Sequence, residues 1–219
     1  MLISYSQKFI FLHNYKVAGS SVKRALAPYS VQNPSAWHNL NSFFGERSVP
    51  LARILNSLNG SLNIASRLDH HSNAKDSEGF LPDDVWGNYY KFGFVRNPWD
   101  WQVSMYHFMR TKKDHFQHKL VSRFKNFEEY LEWRVSSDIN LQVDFFKDSS
   151  GTVSMDYIGK LENINEDFSV ICEAVGISCV IPFVNKTNHQ HYKRHYNERT
   201  RKLIADHFIE DIETFKYCF

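Results

Sequence analysis

Lys16, Ala18, Gly19, Ser20 and Ser21 stand together in "KVAGSSV", one cation, small side chains and two hydroxyls within six residues. So bare a backbone lets an anion approach its N–H groups, the lysine adds a point charge, and the hydroxyls add hydrogen bonds. The stretch is shaped for a phosphate-like group. A second pair, Arg96 and Ser104, lies in "FVRNPWDWQVSMY". On a helix beginning there, Asn97, Trp101 and Ser104 share one face over about 10 Å, and a guanidinium laid along that face can share an anion with the Ser104 hydroxyl. This is not the Walker pattern, which sets its lysine after a second glycine, whereas Lys16 precedes a single one. Taken one at a time, these residues also fit a solvated turn, an ordinary ion pair and a helix hydroxyl bonded to its own backbone.

Such groups need elements to carry them. "KFIFLH" at 8 to 13 reads as a buried strand, and "SSVKRAL" behind the loop reads as a helix with Val22, Ala25 and Leu26 on one face. "YYKFGFV", 89 to 95, is a second strand that ends at Arg96; Asn97 then caps a buried helix with Pro98 at its first position. "KNFEEYLEW" carries a capping box, Asn126 with Glu129. "TVSMDYIGKLE" is a third strand, and "NEDFSVICEAVGI" a helix with Phe168, Ile171, Cys172 and Val175 inward and Gly176 as its stop. "NERTRKLIADHFIEDIETF" reads as one long helix with Leu203, Ile204, His207 and Phe208 on its core side. Strands alternating with helices predict an α/β domain around a mainly parallel sheet. Between about 30 and 80 the chain is polar and rich in Asn and Ser, with one helix expected at "VPLARILNSL".

The 219 residues, 42% hydrophobic and 16% aromatic, suffice for a single domain with its own core. A net charge of +2, spread along the chain, argues against a nucleic-acid partner, so any anion site is local. Three cysteines, all in the last quarter, make neither a disulfide framework nor a zinc site, and a reducing compartment is the simpler reading. No apolar run reaches the roughly 20 residues of a membrane span. The expected localisation is cytoplasmic, and a trimmed luminal domain would read the same way.

In their order, Lys16 to Ser21 after a strand, "FVRNPWDWQVSMY", "DYIGKLENINEDFSVICEAVGI" and the stretch from "NKTNHQHYKRHY" to the end resemble the carbohydrate-type sulfotransferases. Those enzymes use 3′-phosphoadenosine 5′-phosphosulfate (PAPS). The resemblance implies a P-loop-like three-layer α/β sandwich with a central, mainly parallel sheet. It also implies that Lys16, Val17, Ala18, Gly19, Ser20 and Ser21 wrap the 5′-phosphosulfate, with Lys16 at the transferring end, and that Arg96 and Ser104 hold the 3′-phosphate. Lys186 and Thr187 of "NKT" fall where the family closes a loop over the cofactor and are candidate contacts. One departure is Tyr15, where the family usually has proline before the loop lysine; it alters the entry to the loop and leaves the donors in place.

Sulfuryl transfer to a hydroxyl is an in-line displacement helped by charge at the leaving oxygen, and it calls for no metal. The acceptor hydroxyl needs a base. "DHHSNAKD" supplies His70 and His71, and the family spacing of a histidine three residues before an alanine selects His71, with Ala74; Asp69 or Asp76 would orient it. The chain has 11 histidines, so a surface or core role competes with that one. The expected acceptor is a hydroxyl-bearing carbohydrate or glycoconjugate, and the product nucleotide is 3′-phosphoadenosine 5′-phosphate (PAP). The alternatives are a P-loop kinase for a small molecule, or a non-catalytic nucleotide- or glycan-binding protein on the same fold.

Overall fold

A computed structural model describes residues 1–29, 71–182 and 191–219. The helix expected at "VPLARILNSL", together with His70, Asp69, Lys186 and Thr187, lies outside the described residues. The chain divides into two compact units, Met1–Val95 with Phe145–Val184, and Arg96–Asp144 with Asn185–Phe219.

The first unit carries the sheet. Strands β1 (Leu2–Ser4), β2 (Phe9–Leu12), β3 (Tyr90–Val95) and β4 (Tyr157–Lys160) lie side by side in that order. β1 runs antiparallel to β2, with Leu2 opposite Phe11, while β2, β3 and β4 are parallel, Phe11 facing Phe92 and Phe92 facing Tyr157. The α/β class with a mostly parallel sheet is therefore as the alternation predicts, and β1 is an addition too short to be seen without its partner. Alternate residues point to one face: Phe9, Phe11, Phe92 and Phe94 are fully buried there against helix α1 (Gly19–Leu26) and a helix from Ile164 to Ala174. Each such side chain contributes about 1.5–3 kcal/mol of burial. The Ile164–Ala174 helix stops as expected at Gly176, whose φ of +68° suits glycine.

Between α1 and β3 the described chain forms α2 (Ala74–Phe80) and α3 (Asp83–Asn88). Asn73 caps α2, its side chain accepting from the Asp76 N–H at 2.7 Å.

The second unit is helical: α4 (Pro98–Thr111), α5 (His118–Val121), α6 (Phe127–Ser137) and α7 (Gln142–Phe145, whose last residue returns to the first unit), then α8, the helix Ile164–Ala174 of the first unit, and α9 (Glu198–His207) and α10 (Ile209–Thr214). Trp101, Met105, Tyr130, Leu131, Ile204 and Phe208 form its core. Asn97 caps α4 as read from sequence, accepting from the Trp99 N–H at 3.1 Å. At α6 Asn126 accepts from the Glu129 N–H, but Glu129 reaches back to the Lys125 N–H, one residue beyond a true capping box.

The long final helix is in fact two. It breaks at Phe208 (φ −111°, ψ 26°), which stays fully buried, while His207 is exposed and its ring turns back on the Leu203 carbonyl. The inward stripe is narrower than the 3.6-residue period suggested, Ile204 and Phe208 being buried and Leu203 half-buried, and the bend is made without glycine or proline. Among the described residues no helix is long and apolar enough to cross a membrane.

Candidate functional site

The turn between β2 and α1 owes its shape to two residues in the left-handed region, Lys16 (φ 57°) and Ala18 (φ 58°), neither of them glycine. Such a conformation costs about 1–2 kcal/mol per residue. Ala18 stands at the N-cap of α1, where Ser, Asn or Asp would normally satisfy the first-turn N–H groups, and it has no side chain to do so. Its carbonyl takes the Ser21 and Val22 N–H groups. The N–H groups of Val17, Ala18, Gly19 and Ser20 find no hydrogen-bond acceptor among the described residues. No acidic residue lies in the first turn of α1, and Lys23 and Arg24 occupy its last. The positive end of the helix dipole is thus left for an anion from outside. Lys16 is half-buried at this mouth, Val17 is fully buried and anchors the turn, Ser20 is exposed and Ser21 points inward.

His13, one residue beyond β2, is not among the sequence candidates, although the carboxyl end of a parallel strand is where α/β proteins place ligands. Its imidazole rests on Gly19 so closely that a Cβ there would lie 1.7 Å from its Cδ2. The glycine is needed to admit this ring. His71 joins it from 58 residues away: its Nδ1 lies 2.8 Å from the His13 carbonyl, and the two rings are 4.5 Å apart. A carbonyl can only accept, so Nδ1 carries the proton and Nε2 is the basic nitrogen of the neutral ring. That is the tautomer a general base requires. Asp76 is exposed, and among the described residues it is the His13 carbonyl that meets the ring at Nδ1. His13, His71 and Ser20 line a cavity of about 530 Å³ with Met1, Leu2, Lys23, Arg24 and Ala27.

The other predicted pair belongs to the second unit. Arg96, 8% exposed, is gripped at its backbone by Gln142: its N–H donates to Oε1 at 2.9 Å and its carbonyl accepts from Nε2 at 2.7 Å. Gln142 is itself held by Asp211, whose two carboxylate oxygens accept the N–H groups of Gln142 and Val143 at 2.9 and 2.8 Å. The Arg96 Nε donates to Asp100 at 2.8 Å, so an ion pair aligns the guanidinium along α4. Ser104, two turns along α4 and 3% exposed, has an Oγ with no hydrogen-bond partner among the described residues. An unsatisfied buried hydroxyl costs about 1–3 kcal/mol, and a ligand oxygen would remove that cost. The Asp211–Gln142 grip spans 69 residues of sequence and has no local signal.

Burial pushes the Asp211 carboxyl up from 3.8 to about 6, against the pull of its two backbone donors. Because its folded value lies above its unfolded one, its contribution to stability is fully present below pH 3.8 and fades as pH rises through about 6. The Asp211→Asn protein cannot show this fade. Its stability relative to wild type should rise by about 2 kcal/mol between pH 4 and 7, on top of a constant offset for the lost acceptor. Urea denaturation at both pH values measures it; parallel pH dependences would place the ionised carboxylate in a better-solvated setting.

Among the described residues no group of three or more metal-ligating side chains gathers. A search of curated proteins matches none. A family model described as "Sulfotransferase family" matches residues 1–218.

Proposed function

The chain belongs to the sulfotransferase family and its reaction is sulfuryl transfer; from that premise we propose that the donor is PAPS, the acceptor a hydroxyl of a carbohydrate or glycoconjugate, and the base His71. The observation that carries this reading is the uncapped start of α1 behind Lys16: the N–H groups of Val17 and Ala18 in the turn and of Gly19 and Ser20 at the helix start find no acceptor among the described residues, and the first turn of the helix holds no acidic residue. PAPS supplies the sulfuryl group on a leaving phosphate. The Val17–Ser20 amides and the Ser20 and Ser21 hydroxyls bind its 5′ end, and the Lys16 ammonium neutralises the charge that grows on the leaving oxygen. Arg96 and the Ser104 hydroxyl take the 3′-phosphate; Ser104 is the residue whose buried oxygen lacks a partner among the described residues. His71 accepts the acceptor's proton at Nε2. Lys186 and Thr187 are further contacts for the nucleotide, and the chain works as one sulfotransferase-like domain.

The 3′-phosphate distinguishes this reading from a kinase. PAP should bind more tightly than AMP by about 1.5–3 kcal/mol, the worth of charge-assisted hydrogen bonds in a sheltered site. Arg96→Ala should erase most of that preference. Thermal shift with PAP, AMP and ATP measures it, since a ligand selective for the native state raises apparent stability. Equal responses of the wild type to PAP and AMP would sink the assignment, and a response to ATP alone would favour the kinase.

A further inference from the structure

We propose that Tyr15 is a positioning residue for the His71 base, which makes the residue that departs from the family's usual proline part of the reaction machinery. The proposal rests on the reading of His71 as base.

Tyr15 is 44% exposed, while Val17 two residues on is fully buried. Its ring lies flat on that of His71, centroids 3.9 Å apart and planes inclined by 16°. The backbone beneath is pinned, the Tyr15 N–H donating to the Asn14 Oδ1 at 2.7 Å. Among the described residues the His71 ring meets three restraints. The His13 carbonyl fixes which nitrogen carries the proton, the His13 ring stands 4.5 Å away at 42°, and the Tyr15 ring fixes the plane. A single hydrogen bond at Nδ1 would leave the ring free to swing about it. The stacked phenol removes that swing and aims Nε2 in one direction. Proline has no aromatic face to offer, so a relative with proline at this position would need another restraint for its base.

Tyr15 also precedes Lys16 directly. The residue that orients the base is thus bonded to the one that meets the leaving oxygen, and the two ends of an in-line displacement are set by adjacent positions. Efficient transfer demands such alignment, and a misplacement of about 1 Å can cost 100-fold.

The test compares wild type with Tyr15→Ala, Tyr15→Phe and His71→Ala. The rate is read as transfer of label from PAPS to methyl glycosides and to water, PAP affinity is measured separately, and the His71 ring protons are followed by NMR. The stack should shield those protons. Tyr15→Ala should move them downfield and lower kcat about tenfold, the scale of a lost aromatic pair that also aligns a reacting group, with PAP affinity within about twofold. Tyr15→Phe should keep both the shielding and most of the rate, because the ring and not the hydroxyl sets the plane. Full kcat in Tyr15→Ala beside a crippled His71→Ala overturns the proposal while leaving the base in place. Equal losses in Tyr15→Ala and Tyr15→Phe overturn it in favour of the hydroxyl. A near-normal His71→Ala removes the base itself, and this proposal with it.

Discussion

Lys16→Ala should lower kcat by about 100-fold or more while PAP affinity changes much less. The unequal split follows from when the charge is needed. On the proposed reading the 5′-phosphate of PAP is bound by the Val17–Ser20 amides, and these belong to the backbone and survive the substitution. An ammonium at the mouth of that turn does most for the oxygen that becomes anionic during transfer, so its loss falls on the transition state. Lys16 has a left-handed backbone conformation, and Lys16→Gly, which relieves it, should be as slow as Lys16→Ala. Initial rates at saturating PAPS and calorimetric titration with PAP separate the two effects. A mutant that loses PAP binding yet turns over normally at saturation would reassign Lys16 to ground-state binding.

The second large effect is expected at His71. Removing a general base costs about 10²- to 10⁴-fold, and His71→Ala should lose that much kcat with PAP binding intact. Wild-type activity should fall as pH drops through the imidazole range, because a ring protonated at both nitrogens has no lone pair for the acceptor's proton. The tautomer fixed by the His13 carbonyl makes this a statement about one atom, Nε2. His70→Ala, altering the neighbouring residue, should lose little. The measurement is kcat against pH for both variants; a His71→Ala enzyme with a near-normal rate and an unchanged acid limb would hand the role to another group, His13 first among them.

What could be read from sequence was what short stretches of chain decide. The start of α4 is set by Asn97 and Pro98 and the end of α8 by Gly176, and each of these signals acts within a few positions. The bend at Phe208 escaped because no breaker residue marks it, and β1 because three residues carry no period of their own. At the candidate site, Lys16, Arg96 and Ser104 stand out as types in a loop behind a strand, at a strand end and on a helix face, and His71 by its spacing to Ala74. Their supports do not. His13 matters because His71 returns to its carbonyl from 58 residues on, and the grip on Arg96 runs through Gln142 to Asp211, pairings that only the folded backbone creates.

The contact between His13 and Gly19 reaches beyond this one chain. With the imidazole Nε2 only 1.8 Å from where a Cβ would stand, position 19 cannot gain a side chain while the histidine ring keeps its place. A methyl group at 19 is a small change by any substitution scale, yet here it collides with a ring fixed at the end of a buried strand. Natural variation at the two sites is therefore coupled: descendants that acquire a side chain at 19 must first shrink or lose the histidine at 13, and those that keep the histidine are held to glycine whether or not they still bind a donor.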